Sequence, residues 1–166
     1  MGKKKEVIKI TIPEFMTHAQ KSKLKYLKIN GQAIYNGSLH PFTRAKVVKQ
    51  MHEYVKPFID EELKGRDLSR LFPLSIRLEV HVPINYSSVR RLKGEIRWSP
   101  PKDGYIANWD VDNLWIWGKV FNDELTESEY ITDDSVSYVT DSGGVRFKEV
   151  ATFKERKLVF VITKDC

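Results

Sequence analysis

Apolar and polar residues alternate through residues 6 to 12, "EVIKITI", and the alternation stops at Pro13, which predicts an opening strand. Residues 14 to 39 are basic and polar. Their "NGQAIYNGSL" holds two Asn-Gly steps, the signature of a turn-rich region able to form a hairpin. From Pro41 the period lengthens: Val47, Val48, Met51, Tyr54, Val55, Phe58 and Ile59 recur at spacings of three and four, predicting a helix to about Leu63 that Pro57 kinks or divides. "LSIRLEVHVPI", residues 74 to 84, is the clearest strand. Leu74, Ile76, Leu78, Val80 and Val82 share one face and Arg77, Glu79 and His81 the other. Residues 85 to 108 are rich in Pro, Gly and Arg without sustained period, and read as a long loop. A helix is predicted from about Asp112 to Leu125, then strands near 135 to 140, 145 to 153 and 157 to 163, the first two joined by the turn-forming "DSGG". This order implies an α+β fold, a small mixed sheet flanked by two main helices, with residues 1 to 166 as a single domain.

Composition narrows the classes. A hydrophobic share of 41% and a charged share of 30% fit a globular protein and exclude a disordered or fibrous one. The longest apolar runs, such as "LVFVI" at 158 to 162, fall far short of the ~18 residues a membrane span needs. "MGKKKEVIKI" leads into strand alternation rather than a signal-peptide core, so secretion is not expected. The single cysteine, Cys166, leaves no intrachain disulfide and no thiolate metal site, in keeping with a cytoplasmic setting.

Charge is unevenly spread. Between Asp103 and Asp134 lie nine acids and one base, Lys119, a local net of −8 in a chain of net +6. The remainder carries 27 bases against 13 acids, or +14, which suits a polyanionic partner such as nucleic acid. A merely solvated basic surface would read the same way.

Within the acidic segment, Asp110 and Asp112 stand at the start of the predicted helix and Asp133 and Asp134 just before a strand. A helix N-cap explains one aspartate, Asp112, or else Asn113. It does not explain two, nor the second pair. Mg²⁺ takes oxygen ligands, usually one or two carboxylates with water and substrate phosphate, so carboxylates from two element ends can form such a site. On the helical wheel Leu114, Trp117, Phe121 and Leu125 form the core stripe, with Asp112, Ile116, Lys119 and Asp123 roughly opposite. Lys119 can then stabilise charge on a phosphate, or form an i,i+4 salt bridge with Asp123. Trp115, Ile116 and Val120 are apolar but off the stripe, so a second face of this helix is expected to meet a partner subunit.

Other motifs fail. Leu114 occupies the fifth position of any EF-hand pattern and no glycine follows, and no glycine-rich strand-to-helix turn supports a nucleotide site. His18, His40, His52 and His81 are scattered, and His81 reads as a polar-face strand residue rather than a ligand. Trp98, Trp109 and Trp115 could stack on bases, whereas Trp117 belongs to the core.

The ordered set "DVDNL" (110 to 114), "KVFNDEL" (119 to 125) and "DDSV" (133 to 136), preceded by the strand "LSIRLEVHVPI", resembles the RusA family of Holliday junction resolvases, small endodeoxyribonucleases of phages and prophages. The resemblance runs from about residue 74 to the end; before that only the strand-then-helix order agrees. It implies a homodimer that hydrolyses phosphodiesters of branched DNA such as four-way junctions with Mg²⁺, Mn²⁺ being the alternative ion, in a bacterial or phage-infected cytoplasm. By position it implies Asp110, Asp112 and Asp134 as catalytic, metal-binding acids, Asp133 as their metal-site neighbour, and Lys119 as the catalytic lysine. The family lysine lies four residues after the second aspartate, where this chain has Ile116, and Lys119 is seven residues on. Arg90, Arg91, Lys93 and Arg97 in the long loop are the implied DNA contacts, a solvated turn being the alternative. A non-catalytic DNA-binding accessory protein with the same fold is the other function these residues admit.

Overall fold

A computed structural model of the chain describes residues 4–22, 25–29, 31–35, 39–66, 68–82, 114–142 and 144–165. Asp110, Asp112, Arg90, Arg91, Lys93, Arg97 and the expected loop of residues 85 to 108 lie outside the described residues.

The opening alternation forms strand β1, Val7–Pro13, with Ile8, Ile10 and Ile12 buried and the residues between them exposed. A hairpin follows, β2 (His18–Ser22) against β3 (Lys25–Lys28), antiparallel. It does not turn at an Asn-Gly step: Gly31 instead opens the short helix α1, Gly31–Tyr35. Helix α2 runs Pro41–Leu63, with Val47, Met51, Val55, Ile59 and Leu63 as its buried stripe. Pro57 does not divide it. Pro57 is exposed, and so is Glu53, the residue one turn earlier whose carbonyl loses its amide partner. A short 3-10 turn, Ser69–Leu71, leads into β4, Leu74–Val82. Helix α3 spans Ile116–Glu127, then come β5 (Val139–Asp141), β6 (Val145–Glu149), a 3-10 turn (Phe153–Glu155) and β7 (Lys157–Lys164).

The molecule is thus a mixed α+β structure with one larger sheet and two main helices. Strand β7 lies between β1 and β4, antiparallel to both. Cross-strand register aligns the inward residues in rows, Ile10–Phe160–Leu78 and Ile8–Ile162–Ile76. Such rows are the unit of sheet stabilisation, and here they form the floor on which the helices pack. Phe121 of α3 stacks on Phe160 with ring centroids 3.9 Å apart and planes 3° from parallel.

The far edge of β4 departs from expectation. Strands β5 and β6 do not fold back on one another across "DSGG"; both run parallel to β4, one after the other along its edge. Two side chains of β4 hold the jog between them. Ser75 Oγ donates to Asp141 at 2.6 Å, and the Arg77 guanidinium grips the same carboxylate with two bonds of 3.0 and 3.1 Å. The expected strand of 135 to 140 contracts to three residues, since residues 136 to 138 are a turn.

Helix α3 buries Trp117, Phe121 and Leu125 as its stripe requires, and Leu114, just ahead of the helix, is buried with them. Ile116 and Val120 are buried too, and Trp115 packs half-buried against the same core. The face assigned to a partner subunit is therefore covered within the chain. Ile116, Val120 and Glu124 form an i,i+4 row, and Glu124 touches His52 of α2, so this row is the one turned to α2. No helix among the described residues is long and apolar enough to cross a membrane.

Candidate functional site

The described part of the acidic segment is organised by the way α3 ends. Glu129 takes a left-handed conformation, φ 62°, while Tyr130 N–H donates to Leu125 O at 2.9 Å and Glu129 N–H to Thr126 O at 3.0 Å. These two bonds are the 6→1 and 5→2 pair that closes a helix end and reverses the chain. Ile131, buried at the turn, anchors the reversed segment, which then runs back beside its own helix.

The reversal brings Asp134 to Asp123, and the two carboxyls lie within hydrogen-bonding reach. Partial burial and then the neighbouring Asp134 charge raise the Asp123 carboxyl above its ordinary value, with His52 and Lys119 opposing the rise. Asp133 is exposed and turns one oxygen to the backbone N–H of Asp134, at 2.8 Å. Lys119, one turn before Asp123, makes no ion pair with it. Its ammonium lies over the ring of Tyr35, 4.4 Å from the centroid, a cation–π contact. The Arg44 guanidinium is 5.8 Å from the same ring and donates to Ile34 O at 2.9 Å.

A second group of polar side chains adjoins the first. Glu124 is buried at 4% exposure. Its Oε2 faces His52 Nδ1 at 2.6 Å and its Oε1 accepts from Ser128 Oγ at 3.0 Å. Glu127 Oε2 lies 3.7 Å from the same imidazole nitrogen. Lys56, in an ion pair of 3.0 Å with Asp60, is 3.9 Å from Glu124.

Of the residues named from sequence, the structure brings Asp134 and Lys119 to one side of α3, around Asp123, and leaves Asp133 at the rim. Asp110, Asp112 and the four basic loop residues fall outside the described residues, so nothing here joins them to the group. Four residues were not named from sequence as site members: Asp123, His52, Glu124 and Glu127. Glu124 carried a legible signal, an acid continuing the apolar row Ile116–Val120 where the helix should stay buried. His81, by contrast, is the polar-face residue expected, 3.3 Å from Glu79.

The chain matches no protein-family model and no curated protein.

Proposed function

We propose that the chain is a Mg²⁺-dependent, homodimeric endodeoxyribonuclease of the RusA type that cuts four-way junctions and related branched DNA. The observation that carries this reading is the return of the chain after α3, which sets Asp134 against Asp123 on the side of the helix that bears Lys119. Two carboxyls pressed together repel when both are ionised, and that repulsion is relieved by a bound cation. The donors are all hard oxygens, which fits Mg²⁺. In this reading Asp110, Asp112 and Asp134 hold the ion, with Asp133 beside them and Asp123 as a further carboxylate facing Asp134.

Bound Mg²⁺ would polarise the phosphodiester and lower the pKa of an attacking water. The chain's own residues have simpler tasks. Asp123 and Asp134 keep the site negative, Tyr35 holds Lys119 at its edge, and Arg90, Arg91, Lys93 and Arg97 supply cations for the DNA backbone. A dimer would present two such sites, one for each of two opposing strands.

The second reading, a DNA-binding accessory without turnover, is favoured by the position of Lys119, whose ammonium rests on Tyr35 rather than in an ion pair with Asp123. Labelled four-way, flap and linear duplex DNA, incubated with Mg²⁺ or EDTA, distinguishes the two. Under the nuclease reading Mg²⁺ gives paired cuts in the four-way junction. Asp112→Asn and Asp134→Asn each lower the rate by at least about 100-fold, with junction binding kept or tightened. Binding without cleavage by the unaltered chain would establish the accessory reading instead.

A further inference from the structure

We infer that His52, Glu124 and Glu127 form a separate site for a first-row transition-metal ion of the Zn²⁺ kind, clamping α2 to α3. This inference stands apart from the nuclease reading and uses none of its aspartates. One ligand atom from each of the three side chains falls within a span of 4.8 Å. His52 Nδ1 is 2.6 Å from Glu124 Oε2 and 3.7 Å from Glu127 Oε2. In a tetrahedral site with bonds of about 2.0–2.2 Å, neighbouring ligand atoms are about 3.3–3.6 Å apart. The two separations bracket that value and the third pair lies within 4.8 Å, so closing the shell takes side-chain shifts on the order of 1 Å.

A plain hydrogen bond from His52 to Glu124 accounts for two of the three residues. It does not account for Glu127, whose carboxylate is turned to the same nitrogen although its side chain is 66% exposed. One nitrogen facing two carboxylate oxygens has a single proton to give, whereas a cation placed among the three atoms serves all of them. The surroundings match what a metal site requires. Glu124 Oε1 is occupied by Ser128 and faced by Lys56, so the carboxylate is oriented with Oε2 left for the ion. Burial falls from Glu124 through His52 to Glu127, which leaves an open side for entry and for a water as fourth ligand. One imidazole and two carboxylates without thiolate suit Zn²⁺ better than Mg²⁺ or Ca²⁺, which prefer oxygen alone.

The test is calorimetric titration of the full chain with Zn²⁺ in buffer holding excess Mg²⁺, which occupies the proposed aspartate site, alongside visible spectra with Co²⁺ as a surrogate. The expected result is one ion bound by His52, Glu124 and Glu127, a tetrahedral Co²⁺ band, and a tenfold or greater loss of Zn²⁺ affinity in Glu127→Gln. That variant alters an exposed side chain, so its melting temperature without metal should equal that of the unaltered chain. Asp134→Asn should keep both the affinity and the band. No binding at about 100 µM Zn²⁺, a change below tenfold in Glu127→Gln, or an equal loss in Asp134→Asn would each overturn the proposal.

Discussion

Asp123 is the residue at which stability and the candidate chemistry conflict. Partial burial and the facing Asp134 both favour its protonated form, so the folded chain holds this proton more tightly than the unfolded chain does. A raised folded value means that its contribution to stability is fully present below the ordinary aspartate value of about 4 and is lost as pH rises through the folded value. Asp123→Asn is therefore expected to melt higher than the unaltered chain at pH 7, the gap closing as pH approaches about 4. Thermal melts across that range check it, and an unchanged or lower melting temperature at pH 7 would count against the carboxyl pairing. Asp141 shows the opposite sign, since the Ser75 hydroxyl and then Arg77 hold its carboxyl below the ordinary value despite partial burial. Its contribution is present above the ordinary value and fades as pH falls through the lowered one.

At the scale of elements, the end of α3 decides where Asp134 goes. The helix closes through Glu129 in a left-handed conformation, which strains any residue with a side-chain Cβ and suits glycine. Glu129→Gly should keep the two closing bonds and raise stability by about 0.5–1 kcal/mol, read from chemical denaturation. A loss of stability would show that the Glu129 side chain contributes more than the relief of its backbone. The pairing of α2 with α3 rests on an unusual seam for two amphipathic helices. Alongside apolar packing it contains a buried carboxylate, Glu124, held by His52 and Ser128. Burying such a group without partners would be strongly unfavourable, so the polar seam also specifies how the two helices meet.

For the whole molecule, the separation of charge is the property with a functional reading. A net of −8 over residues 103 to 134 within a chain of net +6 leaves the remainder strongly basic. If that remainder engages DNA phosphates, affinity for a four-way junction must fall steeply with salt. With about six phosphates neutralised, the loss between 50 and 200 mM salt is on the order of 1000-fold. Electrophoretic mobility shifts at the two salt concentrations check this, and an affinity insensitive to salt would exclude a phosphate-binding role. The sheet is arranged so that both helices lie on the face carrying the isoleucine rows, while the outward face of β4 presents Arg77, Glu79 and His81.

The amino-acid pattern alone determined β1, α2, β4, the core stripe of α3 and β7, because each depends on a local period that a buried face must satisfy. It also marked the acidic segment and allowed a hairpin before α2, although the Asn-Gly steps do not form its turn and Gly31–Tyr35 is helical. Three things depended on tertiary structure. The parallel alignment of β5 and β6 along β4 follows from what Ser75 and Arg77 reach across the sheet, which "DSGG" cannot encode locally. The burial of Ile116 and Val120 follows from the approach of α2, a contact made by residues about seventy positions apart such as His52 and Glu124. The meeting of Asp123 with Asp134 follows from a reversal that needs both a left-handed Glu129 and a buried Ile131. Periodicity reports which face of an element is buried, whereas juxtaposition is set by which elements share the core, and that is a property of the folded chain.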